Sequence, residues 1–236
     1  MKKIVHKAES RGVADHGWLR SYHTFSFAGY YHPERMNFGM LRVLNDDTVD
    51  PGQGFDTHAH DNMEIVSIPL QGALLHKDSM GNIHEIRVGE VQVMSAGTGI
   101  RHSEFNRSDN ELVNFLQIWI LPKQRNIEPH YEQKLFDEAE RRGRFQTLIS
   151  PDRQDGSLWI NQDAYFSMAD LDAGSKAIYP VKKQGNAIYL FLIRGQAMID
   201  GELANERDAI GLFDLSSIDI EALDNIQILC IEVPLD

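Results

Sequence analysis

Short apolar or alternating runs, each bounded by Gly, Pro, Asn or Asp, recur at residues 38–44, 63–70, 73–77, 83–88, 91–94 and 112–121. Runs of this length and spacing predict the antiparallel strands of a sandwich or barrel. Asp78-Ser-Met-Gly-Asn82 separates two of them and reads as a hairpin loop, with Gly81 free to take a positive φ. The second half repeats the style at 187–193, 197–199, 209–213, 217–220 and 226–233, with Asp200-Gly201 as its tight turn.

Between the halves, residues 122–144 are polar and contain Pro122 and Pro129. Within them Lys134-Leu-Phe-Asp-Glu-Ala-Glu-Arg-Arg142 predicts a short helix ended by Gly143. The fold class expected is therefore all-β, as two consecutive barrels. Residues 1–130 form the first, 131–145 a linker with the short helix, and 146–236 the second. A weak internal repeat agrees, because Leu70-Gln-Gly-Ala-Leu-Leu resembles Ile193-Arg-Gly-Gln-Ala-Met, with Gly72 and Gly195 as register marks.

Composition narrows the class of protein. Hydrophobic residues make up 42% and charged residues 25%, ordinary values for a soluble globular chain. The longest apolar runs fall well short of the roughly 20 residues a membrane-spanning helix needs. Lys2, Lys3, Ile4 and Val5 are followed at once by His6, Lys7 and Glu9, which leaves no signal-peptide core, so a cytoplasmic protein is expected. The single cysteine, Cys230, fits a reducing compartment and reads as a buried strand residue. A net charge of −12 would repel phosphate backbones, so no direct binding of nucleic acid is expected.

The candidate chemistry lies in two segments. Gly52-x5-His58-x-His60-x3-Glu64 places His58 and His60 two residues apart, on one face of a strand. Gly89-x12-His102-x3-Asn106 follows after the hairpin and contains His102-Ser-Glu104, a second same-face pair. If the barrel brings these strands together, three neutral nitrogens and a carboxylate converge, a donor set suited to a divalent first-row transition metal with open positions. Glu64 competes with Glu104 for the role of carboxylate. All ten histidines lie at or before His130, and aligning the halves puts Val181, Lys183, Glu221 and Leu223 opposite His58, His60, His102 and Glu104. The second barrel is thus expected to lack a ligand set. His23 and Phe25 alternate and suit either a pocket wall or the core. His76 and His84 flank the hairpin and are expected to face solvent, while Trp18, Trp119 and Trp159 are expected in the core.

The two segments resemble the consecutive cupin motifs, with Ser95 where proline is usual and one extra residue between Glu64 and Gly72. His16-Gly-Trp-Leu, His23-Thr-Phe-Ser-Phe27, Leu41-Arg-Val-Leu-Asn-Asp46, the His58 segment, Ser95-Ala-Gly-Thr-Gly-Ile-Arg-His-Ser-Glu104 and Gln117-Ile-Trp119 together resemble the pirin family. That resemblance continues through Ser150-Pro-Asp-x-x-Asp-Gly-Ser157. It implies a bicupin whose metal is held by His58, His60, His102 and Glu104, leaving Glu64 out. It also implies one divalent transition metal per chain, Fe(II) first, with Ni, Co, Mn, Cu or Zn also fitting. Phe55 and Gln117 correspond to positions near that metal and are candidate substrate contacts.

The implied activity is that of bacterial quercetin 2,3-dioxygenases, an oxidoreductase reaction that cleaves a flavonol with O2 and releases CO. The expected catalytic residue is Glu104, as the base that takes the flavonol proton. The alternative implied by the nuclear pirin is a non-catalytic metal-dependent regulator or redox sensor acting through a protein partner. A third is another cupin activity, such as isomerisation or dioxygenation of a different enol.

Overall fold

In the computed structural model, which describes residues 2–236, the alternating runs become strands of four almost entirely antiparallel sheets. The first half contributes a seven-stranded sheet in the order His130–Leu135, Glu90–Ser95, Glu64–Gln71, Val113–Ile120, Leu41–Val49, Leu19–His23 and Gly12–Asp15. Facing it is a four-stranded sheet in the order Gly54–His60, Ile100–Asn106, Ala73–Asp78 and Ile83–Arg87. The second half repeats the plan. Its seven-stranded sheet includes Ala209–Phe213, Ala187–Arg194, Ile226–Val233 and Tyr165–Leu171, and its four-stranded sheet runs Lys176–Pro180, Ser217–Ala222, Ala197–Ile199 and Glu202–Ala204. The fold is a bicupin.

The two seven-stranded sheets pack against each other through one continuous core. Phe25, Leu44 and Ile118 from the first half and Phe166, Tyr189 and Ile231 from the second belong to the same buried cluster. The second barrel's own interior is filled by Tyr179, Leu190, Ile199, Ile218, Ile220 and Cys230. Apolar side chains therefore occupy the space that the first barrel leaves for polar groups.

Both hairpin turns form as the residues dictate. Gly81 sits at φ 95°, and Asp200 and Gly201 take φ 43° and 75°, the two positive values of a tight primed turn. Two features depart from expectation. The helix at 134–142 does not form: Lys134 and Leu135 end the strand His130–Leu135, which pairs with Glu90–Ser95, and only a 3-10 turn at Glu138–Arg141 remains. Phe136, 4% exposed, anchors this stretch in the shared core, and that burial outweighs the helix propensity of the residues after it. The second feature is the N-terminal strand Lys2–His6, which leaves its own half and pairs with Ala209–Phe213 of the other. Among the described residues no helix is long and apolar enough to cross a membrane.

Candidate metal centre

Strand register brings the histidines together. Ile100–Asn106 lies between Gly54–His60 and Ala73–Asp78, with His102 opposite His58 on one side and opposite Asp78 on the other. Glu104 lies opposite Phe55 and His76. A register shift between His102 and Glu104 inserts an extra residue in the His58 strand, a local bulge beside the site. His58, His60 and His102 each present a nitrogen within 4.8 Å of the others.

Glu104 is 2% exposed and stands slightly apart. Its Oε2 accepts from Gln117 Nε2 at 2.7 Å and its Oε1 from Ser67 Oγ at 3.1 Å. It groups with His102 and His76 within 4.8 Å, so His102 is common to both constellations. Gln117 and Phe55, expected as substrate contacts, both line the cavity; Gln117 also binds the carboxylate, and Phe55 packs edge-on against Trp18.

The electrostatics favour neutral imidazoles. Burial, then the neighbouring His102 and His58, push His60 down to about 4, although Glu104 and Asp61 pull the other way. Burial, then His58 and His76, push His102 down to about 3. The tautomer of His58 is set by its Nδ1, which lies 2.8 Å from the Asp56 carbonyl and must donate to it. Its Nε2 is therefore a bare lone pair, and that atom faces His102 Nε2 at 2.9 Å. Two facing imidazole nitrogens need a shared proton or a cation between them. With His102 hard to protonate, a metal ion fits the donor set better than a proton.

A cavity opens onto this cluster. Phe27, Phe55, Leu19 and Trp119 supply its apolar wall, and Asn45, Asp47, His23 and Ser21 its polar one. Trp119 is half-buried, stands edge-on to His60 and packs against the cluster of Ile65, Met94 and Ile100, so it joins the pocket to the core. His23 lines the cavity while Phe25 lies beyond the end of its strand in the shared core, so the two expected alternatives are split between them. Asp47 is buried; that burial pushes its carboxyl up to about 7, against the hydrogen bond from Ser21 and with Asp46 and Glu104 adding to the rise.

Glu64 is absent from the cavity wall. It is 0% exposed, accepts from Ser95 Oγ at 2.6 Å, and accepts the backbone N–H of Asn161 at 3.1 Å. The serine that replaces the usual proline is thus its partner, and the pair ties the first barrel to the second half. His84 is exposed and stacked on Tyr131, as a hairpin position should be. His76 is not: it is 0% exposed, with Nε2 3.1 Å from Asp78 Oδ2. The signal was legible in Leu74, His76 and Asp78, which alternate with Leu75 and Lys77 and so share the inner face. Among the described residues, every cluster of three or more potential metal ligands lies in the first half.

Two barrels, one solid with apolar side chains and one holding a histidine-floored pocket, make this chain a bicupin of the metal-site type. A family model described as pirin matches residues 5–120, and one described as a quercetinase C-terminal cupin domain matches residues 147–233. The chain is 42% identical to a quercetin 2,3-dioxygenase of Escherichia coli K12, over 98% of each chain. It is 41% identical to a pirin-like protein of Caulobacter vibrioides, over 94% of this chain and 95% of that one. The crystal structure of an E. coli bacterial pirin in complex with nickel(II) superposes with a TM-score of 0.94 at 40% identity, covering 99% of each chain. The chain belongs to the pirin family.

Proposed function

We propose that this protein is a metal-dependent dioxygenase that opens flavonols such as quercetin with O2 and releases CO. His58, His60, His102 and Glu104 are its ligands. The observation that carries the reading is the lone-pair opposition of His58 and His102 at 2.9 Å on the floor of an aromatic-walled pocket. The relatives named quercetin 2,3-dioxygenase and crystallised with nickel(II) support the substrate and the cation class. Iron(II) is the resident metal of this reading, and the imidazole-rich set also accepts nickel.

A bound divalent metal supplies Lewis acidity, lowering the pKa of an enolic hydroxyl beside it. The chain's own residues do the rest. Glu104 accepts the proton of the substrate 3-hydroxyl, and Gln117 and Ser67 hold its carboxylate in place for the transfer. Phe27, Phe55 and Trp119 flank the planar rings and exclude water. His23 Nδ1 and Asn45 Oδ1, from residues that line the same cavity, are buried without partners and are the groups left to meet the outer hydroxyls of the substrate.

The test is anaerobic loading with Fe(II) or Ni(II), then addition of quercetin and O2. Loss of the flavonol absorption band with CO in the headspace is expected. Full metal occupancy without any decay of the band would refute the assignment.

A further inference from the structure

We propose that His76 and Asp78 form a positioning relay that fixes His102 in the tautomer a metal requires. The inference rests on the ligand reading above but concerns residues outside that set. Asp78 Oδ2 and His76 Nε2 are 3.1 Å apart and wholly enclosed, so the carboxylate accepts and His76 Nε2 carries the proton. His76 Nδ1 is then bare, an acceptor, and it is buried without a partner. On the other side, His102 turns its Nε2 to the shared centre with His58, so with a cation there its proton belongs on Nδ1, and that atom is also buried without a partner.

The two unpartnered atoms are complementary, a donor on His102 and an acceptor on His76. The rings lie 5.3 Å apart between centroids at an angle of 56°, room for one N–H···N hydrogen bond once they turn toward each other. The sheet enforces the meeting, because His76 is opposite Glu104 and Asp78 is opposite His102 on adjacent strands. His58 solves the same problem locally with the Asp56 carbonyl. His102 has no such carbonyl and takes its acceptor from the next strand. Imidazole ligands are normally held by an outer acceptor, and losing one typically costs about 10–100-fold in metal affinity.

Asp78 also caps the hairpin through Met80 N and Asn82 N, so His76 is the cleaner residue to change. The experiment compares wild type, His58→Ala, His76→Leu and His76→Asn, reading Co(II) affinity by chelator competition and thermal stability, and follows the His102 ring nitrogen shifts in metal-free His58→Ala, alone and with each His76 change, where His102 Nε2 no longer shares a proton with His58. In His76→Leu, affinity is expected to fall about 10–100-fold with loss of the Nδ1–H tautomer of His102. His76→Asn, whose side-chain oxygen can take the acceptor role, is expected to recover most of both. Unchanged affinity and tautomer in a folded His76→Leu would overturn the relay. So would an affinity loss that His76→Asn leaves unrepaired, which marks a packing role, or a loss as complete as in His58→Ala, which makes His76 a ligand. If wild type itself binds no Co(II), the ligand reading fails, while the tautomer shift between metal-free His58→Ala and its His76→Leu double variant still decides the relay.

Discussion

Replacing Glu104 by Gln separates charge from shape. The carboxylate receives two hydrogen bonds, from Gln117 Nε2 and from Ser67 Oγ. A glutamine can keep the first with its oxygen and donate its amide to Ser67 Oγ, whose own proton then goes to Gln117 Oε1, 3.1 Å away. Every polar atom stays paired, so folding stability should change by less than about 1 kcal/mol. What is lost is the basic lone pair, and removal of a general base typically costs about 10²–10⁴ in rate, roughly 3–5 kcal/mol of barrier. Glu64→Gln inverts the pattern. Ser95 Oγ and Asn161 N both donate to Glu64 Oε2, a place the glutamine oxygen can take, but its amide NH2 is then buried at the Oε1 position, which has no partner, costing about 1–3 kcal/mol of stability with little effect on turnover per folded molecule. The assay is metal content, melting temperature and quercetin decay for both variants side by side. Near-normal turnover in Glu104→Gln, with collapse in Glu64→Gln, would refute the assignment of the base.

Elemental analysis should find one divalent metal per chain, and His58→Ala or His102→Ala should each abolish tight binding; two equivalents of similar affinity would contradict the apolar interior of the second barrel. Asp47 titrates near 7 when folded against an ordinary value of 3.8, so its contribution to stability is present at acid pH and is lost as pH rises from about 4 through about 7. Metal-free Asp47→Asn, which keeps an oxygen for Ser21, should therefore gain melting temperature over wild type at pH 8 but not at pH 4, and an equal gain at both would disprove the shift. With a net charge of −12, binding to duplex DNA at physiological salt should be undetectable by fluorescence anisotropy, and tight binding would argue for the regulatory reading.

The sequence was most informative where spacing and backbone period coincide. His58 and His60, and His102 and Glu104, each sit two apart on strands whose burial alternates, and the barrel joins the pairs by register. It was silent on Tyr165–Leu171 and Lys176–Pro180, where serine, aspartate and lysine interrupt the apolar pattern and pairing with Ile226–Val233 and Ser217–Ala222 supplies the order. The misread helix at 134–142 shows the same dependence in reverse, since local propensity there lost to burial of Phe136. The hydrogen bond from Gln117 to Glu104 was out of reach, because it depends on how the strands Val113–Ile120 and Ile100–Asn106 meet across the barrel.

The crossed-over N-terminal strand bears on how the chain is made. Lys2 pairs with Phe213 and His6 with Ala209, so this strand has no partner until a segment far along the chain has been made. Contacts of such separation form late and slowly. Until they form, Ala209–Phe213 is an open sheet edge, able to accept an extended strand from another molecule as readily as its own. Any peptide fused ahead of Lys2 is thereby attached to the seam that closes last, and the choice between a closed monomer and strand exchange between chains is made there.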